Sequence, residues 1–288
     1  MRIIPSSELI VNADGSIFHL HLRPEQLSDT VLLVGDPDRV NMVAAYFDTR
    51  EYEEKNREFH TITGTFQGKR ISCVSHGIGT DNIDIVLTEL DALKNIDLEH
   101  RCEKDLHTQL TLVRMGTSGG IQDIAPVGSY VVSEYSIGFD GLLNYYDSAA
   151  VREVDMERAF VQHTNWSERL AAPYFIKADE ELVQRIGRDD MVRGITISAP
   201  GFYGPQGRYV RARLAFPELN SHIQSFRYNG RMITNFEMES SAVAGLGKLL
   251  GHKAMTVCAI IAGRVQKNMN TDYKALMEKL VQTVLERL

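Results

Sequence analysis

The sequence is poor in cysteine, has no long apolar run and carries less positive than negative charge. Its only cysteines are Cys73, Cys102 and Cys258, in 288 residues. A sparse, odd set is not a disulfide framework, and without a C-x-x-C pair the usual zinc spacing is missing. Cys73 and Cys258 lie in apolar runs and are expected to be buried thiols. No stretch approaches the roughly 18 apolar residues of a membrane span. The start, Met1-Arg2-Ile3-Ile4-Pro5, lacks the apolar segment of a secretory signal. These absences predict a cytoplasmic protein with reduced thiols and no membrane partner. The 31 Lys+Arg against 38 Asp+Glu leave a net charge of −7, which argues against a nucleic-acid partner. Any small anion must therefore be met by positive charge concentrated locally.

Low-complexity segments, internal repeats and Pro/Ser-rich linkers are also missing, so residues 1–288 are expected to form a single domain. Short apolar runs predict strands at Val31–Gly35, Ile71–Ser75, Leu110–Gly116, Ser129–Glu134, Gly194–Ser198 and Ala254–Ala262. Helical spacing appears over Val40–Phe47, Thr80–Lys94, Glu239–Leu250 and Lys274–Leu288. The more polar Thr49–Arg70 reads as antiparallel strands, with a turn near Gln67-Gly68. Residues 96–109 form a charged excursion, expected to be a solvated loop or a helix extension. Alternating strands and helices, with strands often apolar throughout, predict an α/β fold. Its central sheet is expected to be mixed and mostly parallel, with helices on its faces.

Four motifs are expected to begin where a strand ends: Gly35-Asp36-Pro37-Asp38-Arg39, His76-Gly77-Ile78-Gly79, Gly116-Thr117-Ser118-Gly119-Gly120 and Gly263-Arg264. Ligands of open α/β sheets bind outside the carboxyl ends of the strands. In the first motif, a helix start with a free amide and Arg39 suits an anion, or forms a plain turn with a surface arginine. In the third, Arg114 lies inside an apolar strand and needs a partner, either a phosphate or a structural carboxylate. Neither motif is a Walker loop or a dinucleotide fingerprint. Asn235–Ser241 opens a helix with Glu237 and Glu239. They read as caps or as acceptors for a sugar diol. Phe202–Arg208 combines an aromatic ring, the Gln206 amide and a guanidinium. It reads as a plain turn or as a reader of a planar heterocycle. His19 and His21 alternate as on a strand face, but no third metal ligand follows from spacing. His76 is expected to be structural.

Taken together, Phe18-His19-Leu20, Gly35–Arg39, Arg57-Glu58-Phe59, Val113–Gly120, Phe202–Arg208, Phe236–Ser240 and Arg264 carry a resemblance. The sequence resembles the nucleoside phosphorylases of the trimeric/hexameric superfamily, most closely their uridine-cleaving branch. The resemblance runs from about Phe18 to the C-terminal helix. It implies a three-layer fold, no cofactor, and cleavage of a nucleoside by inorganic phosphate. Carried over by position, Gly35, Arg39, Arg114 and Thr117 hold phosphate, and Arg57 joins them from a neighbouring subunit. Met238 and Glu239, assisted by Glu237, contact ribose, and the neighbour's His19 reaches it. Phe202, Gln206, Arg208 and Arg264 form the base pocket. Arg39, Arg114, Glu239, Gln206 and Arg208 are the implied catalytic set. A shared site implies at least a homodimer, and the bacterial pattern is a hexamer.

Departures from the family pattern sharpen the expectation. Purine-cleaving relatives usually carry an aspartate near the strand end occupied here by Ala262-Gly263-Arg264. Neither Ala262 nor Gly263 can protonate a purine. Bacterial relatives often have Asn before the matching arginine, so Gly263 is expected to loosen the pocket. Some relatives bind K+ between subunits, which here would involve Glu58, a carbonyl near Ile78, and Asn82 in place of a hydroxyl residue. The 96–109 excursion is longer than usual and is expected to alter subunit packing. Competing readings are purine nucleoside phosphorolysis, a nucleosidase, and a nucleoside sensor without turnover.

Overall fold

The computed structural model describes residues 2–264 and 267–288. Among them the strands are Thr30–Val34 (β1), Thr49–Asn56 (β2), Phe59–Phe66 (β3), Lys69–Ser75 (β4), Ile96–Asp97 (β5), Cys102–Glu103 (β6) and Thr111–Gly120 (β7). They continue with Tyr130–Gly138 (β8), Tyr174–Lys177 (β9), Val192–Ser198 (β10), Arg227–Tyr228 (β11), Arg231–Glu237 (β12), Lys253–Gly263 (β13) and Asn268–Met269 (β14). The α-helices are Pro37–Ala44 (α1), Thr80–Asn95 (α2), Val154–Thr164 (α3), Glu180–Ile186 (α4), Leu219–Ser225 (α5), Ser240–Leu249 (α6) and Lys274–Arg287 (α7).

One mixed sheet runs β11-β12-β10-β8-β13-β7-β1-β4-β3-β2, with β9 and β14 as short flanking strands. β1 pairs in parallel with β4 and β7, and β13 in parallel with β7. The strand β1 shows why its sequence is apolar at every position. Val31 and Leu33 pack with α2 and α6, whereas Leu32 and Val34 pack with α1, α4 and α7. Both faces are covered, so the two-residue period of a strand demands apolar side chains throughout. The far half of the sheet has its own aromatic core, in which Phe139, Phe160, Phe175 and Phe226 pack together. Antiparallel pairing of β12 with β7 closes β7, β13, β8, β10 and β12 into a ring, which no sequence pattern announced.

The expected mixed α/β architecture is present, with differences of detail. The β3–β4 turn falls at Gln67 and Gly68, both with positive φ (49° and 75°), as a two-residue hairpin requires. Helix α1 spans Pro37–Ala44 rather than Val40–Phe47, because Pro37 begins it and Asp36 caps it. The Gly116–Gly120 motif does not follow the end of a strand: β7 continues through it to Gly120. Residues 96–109 are not a helix extension. They contain the β5–β6 hairpin, and Arg101 there donates to the carbonyls of Ile4, Pro5 and Leu9, tying down the N-terminal segment. His19 and His21 are not on a strand. They lie in a turn, His21 with φ 56°. No described helix is long and apolar enough to cross a membrane. All three cysteines are buried and unpaired. Burial pushes the Cys73 thiol well up and that of Cys258 to about 12.

Gly120 ends β7 where a Cβ would collide with the Ala125 carbonyl, a backbone atom that cannot turn aside. Gly120→Ala is therefore expected to cost about 1–3 kcal/mol in urea unfolding. An unchanged midpoint would show that the end of β7 yields freely.

Candidate active site

The carboxyl ends of β1, β4, β12 and β13 and the last half of β7 surround one cleft of about 990 Å³. This is where an open parallel sheet places its ligands. β7 forms its floor. At 3.3 Å per residue, Arg114 and Gly119 are roughly 16 Å apart along the strand. The sequence-predicted residues divide along that line.

At one end lie Gly35, Arg39, Arg114 and Thr117. The helix start at α1 is less receptive to an anion than its sequence suggests, because the Asp36 carboxylate accepts the Asp38 N–H (2.9 Å). The positive charge there comes from side chains. Arg114 is 3% exposed, and both readings of its sequence context apply. It lines the cleft, and it is also paired structurally. Nη1 meets Glu237 Oε2 at 2.8 Å and Nη2 contacts Glu239 Oε2. Nε donates to His76 Nε2 at 3.2 Å, and Cys258 Sγ lies 3.7 Å from Nη1. Burial alone would favour a neutral arginine, but Glu239 and then Glu237 overcome it and hold its pKa above the ordinary value.

The carboxylates occupy the middle. Glu237 is a cap and more. It accepts from the backbone amides of Glu239 and Ser240 (2.9 Å each) and from the hydroxyls of Ser198 (2.7 Å) and Ser240 (2.8 Å). Glu239 takes the Gly79 N–H at 2.7 Å and Arg114, and faces the cleft beside Met238. Burial raises its pKa against the opposing pull of Arg114, and Glu237 raises it further.

At the other end the backbone carbonyl of buried Gln206 accepts from Arg264 Nη2 (2.9 Å) and Asn220 Nδ2 (3.0 Å). Arg208 donates to the Gln206 side-chain oxygen and to the Phe202 carbonyl (2.6 Å). Its guanidinium lies 3.8 Å from the Phe202 ring centroid, a cation–π contact. Burial and the neighbouring Arg264 lower the Arg208 pKa to about 10, and burial lowers that of Arg264. Gly119 is bare beneath them: a Cβ there would stand 3.9 Å from Arg208 Nη2 and 3.9 Å from Arg264 Cγ. Gly263 does not loosen the pocket, because the Asn268 amide fills the space its side chain would take. Sequence reasoning missed Asn268 and its neighbour Met269, which reach the cleft on β14 through pairing with β13. Ser118, part of the expected glycine motif, does line the cleft, and its hydroxyl accepts from Asn235 Nδ2 at 3.0 Å. Ile261 was also missed; the only signal for it, Asn268 and Met269 was proximity to Arg264 in the chain.

Glu58, Ile78 and Asn82 also line the cleft. They offer a carboxylate, a backbone carbonyl and an amide, oxygen donors of the kind that hold hard cations. Arg57 and His19 do not line the cleft of their own chain. They form a separate patch: the Arg57 guanidinium lies 5.6 Å from the Phe18 ring, and His19 Nδ1 contacts buried Glu89 at 2.6 Å. Elsewhere, Asp91, His107 and His252 bring potential metal-ligand atoms within 4.8 Å. His252 Nδ1 accepts the Leu110 N–H, so its proton sits on Nε2, facing Asp91 at 3.2 Å. A protonated nitrogen has no lone pair for a metal, and the trio reads as a structural contact in which the His107 and His252 rings stack (centroids 5.5 Å) beside Asp91.

A family model described as the phosphorylase superfamily matches residues 29–287. A uridine phosphorylase of Thermococcus kodakarensis is 29% identical over 90% of this chain and 82% of its own. That of Escherichia coli is 27% identical over 88% and 89%. Among solved structures, a Trypanosoma brucei nucleoside phosphorylase described as showing uridine phosphorylase activity superposes with TM-score 0.86. It is 28% identical, over 97% of this chain and 99% of that one.

Removing the buried guanidinium strands two carboxylates. Arg114→Met is expected to cost about 3–5 kcal/mol at pH 8. Without the lowering pull of Arg114, burial and Glu237 raise the folded pKa of Glu239 further, so the penalty applies above that pKa and fades as falling pH protonates the carboxylate. Urea unfolding at pH 8 and pH 5 should show the deficit shrinking at the lower pH. An equal deficit at both would remove the carboxylates as its source.

Proposed function

The chain belongs to the phosphorylase superfamily, and on that premise we propose that it cleaves uridine with inorganic phosphate, giving uracil and ribose 1-phosphate. The observation that carries this reading is the order of groups over β7. A cationic end, a carboxylate pair and an amide–guanidinium end share one cleft, in the sequence phosphate, ribose, base.

In this scheme phosphate is the nucleophile, so no side-chain nucleophile is needed. Gly35, Arg39, Arg114 and Thr117 hold it beneath the sugar, which supplies proximity. A phosphate oxygen bonds to C1′ of ribose while the C1′–N1 bond breaks. Its electron pair leaves with uracil, which then takes a proton from water. Glu239 and Met238 fix the ribose, and Glu237 holds Glu239 and Arg114 in place. Positive charge on the sugar is offset by phosphate. Negative charge on the uracil oxygens is met by Gln206 and Arg208, with Arg264 behind them and Phe202 against the ring. Neither Ala262 nor Gly263 offers a proton for a purine leaving group, which favours the pyrimidine.

Arg57 and His19 complete the site from a neighbouring chain in this reading, which asks for a homodimer at least and accommodates a hexamer. Their position outside their own cleft supports it. Inorganic phosphate is the co-substrate and no organic cofactor enters. A K+ ion, where present, would be held by Glu58, Ile78 and Asn82. Buried, unpaired thiols suit a cytoplasmic setting.

Purified protein should release uracil from uridine only when phosphate is present, with inosine a poor substrate. Turnover without phosphate would make it a nucleosidase. Tight uridine binding without turnover would make it a sensor, and faster inosine cleavage would overturn the argument from Ala262 and Gly263. Within the same assay, Arg208→Ala should lower kcat on the order of 10²–10³-fold. Arg57→Ala should raise the KM for phosphate while leaving the melting temperature unchanged. An unaltered phosphate KM would take Arg57 out of the site.

A further inference from the structure

His76 is fully buried at the end of β4, its N–H bonded to the Val34 carbonyl (2.8 Å). The strand between β4 and β7 is β1, so the residue after β4 reaches across the end of β1 towards β7. Its ring does so on two sides. Cε1 lies 3.7 Å from where a Gly35 Cβ would stand, and Nε2 accepts from Arg114 Nε at 3.2 Å. We propose that His76 is a positioning residue for phosphate: fully buried beside Gly35 and bonded to Arg114 Nε, it fixes the orientation of the Arg114 guanidinium. This deepens the function proposed above and rests on it for the identity of the anion.

The chemistry of the acceptor supports the assignment. A guanidinium donates five N–H groups in a plane, and its orientation is set by which of them are tied. Glu237 and Glu239 take the Nη side, and Nε is left to a third partner. A carboxylate there would add a third negative charge to the cluster and compete with an incoming anion. A neutral imidazole ties Nε without adding a further negative charge. Accepting through Nε2 places the ring proton on Nδ1. Burial, and the repulsion of Arg114, hold the His76 pKa well below the usual range, so the ring stays an acceptor. The ring edge lies beside Gly35, where a Cβ would make an ordinary contact with Cε1 at 3.7 Å.

The test compares His76→Gln, whose side-chain oxygen can take the place of Nε2, with His76→Leu, which fills the space without an acceptor. His76→Met stands in if the leucine variant does not fold. Inorganic phosphate binding is measured by calorimetry without nucleoside, and phosphorolysis kinetics and melting temperature are read in parallel. The expected result is phosphate affinity weakened on the order of 10-fold or more in the leucine variant. The KM for phosphate should change more than kcat, and the glutamine variant should recover to within about 3-fold. Unchanged phosphate affinity in the leucine variant, or equal losses in both variants, overturns the proposal. A wild-type protein that binds phosphate but cleaves no nucleoside defeats the proposed function alone, because the binding comparison still decides the role of His76. A wild-type protein that binds no phosphate overturns both.

Discussion

A guanidinium buried in the middle of a sheet has to be neutralised where it stands, and this requirement organises the molecule. Arg114 sits on β7 among residues that are otherwise apolar, and losing a partner there would cost several kcal/mol. Glu237 and Glu239 supply the charge. They do so only because β12 is paired with β7 and because α6 begins immediately after it. Glu237 in turn has its remaining lone pairs occupied by Ser198 on β10 and Ser240 on α6. His76 after β4 and Cys258 on β13 complete the contacts. A single charge thus ties together five strands and a helix, and the cluster it forms is the floor of the cleft.

The same arrangement reconciles a net charge of −7 with the proposed anion site. Acid predominates on average, whereas the cleft gathers Arg39, Arg114, Arg208 and Arg264. The two ends treat their charge differently. Arg114 is compensated by carboxylates and its pKa is raised. Arg208 and Arg264 lie close to one another, half-buried, with lowered pKa values. The Arg208–Arg264 end therefore carries positive charge that a negative charge there would relieve, while Arg114 is balanced and geometrically fixed. In the proposed reaction the first arrangement serves charge that develops, and the second serves alignment.

Much of the site was legible in the sequence because its residues come in short motifs. Gly35 with Arg39, Arg114 with Thr117, Phe202 with Gln206 and Arg208, and Met238 with Glu239 each lie within a few residues of one another, and the cleft contains them all. Other features left weaker traces. Helix α3 buries only Met156, Glu157, Phe160 and Thr164, a mixed set that gives little helical periodicity. The free amide expected before Arg39 was taken by Asp36, since an Asx residue at a helix start competes for that hydrogen. The space left by Gly263 was filled from β14, whose pairing with β13 no local pattern encodes. Arg101, read as part of a solvated run, instead holds the N-terminal segment through three carbonyls.

By itself the sequence determined the alternation of strands and helices, the glycine turns after β1 and β4 and the presence of a cation inside β7. These follow from periodicity, from backbone freedom and from the cost of burying charge, all of which act over a few residues. Only the tertiary structure decided what Arg114 is bonded to. It also decided that β12 closes onto β7, that Asn268 occupies the space beside Gly263, and that Arg57 and His19 stand outside their own cleft. Apart from the Asn268–Gly263 pairing of β13 with β14, each of these depends on contacts between segments tens to more than a hundred residues apart, whose geometry is set by packing the whole sheet.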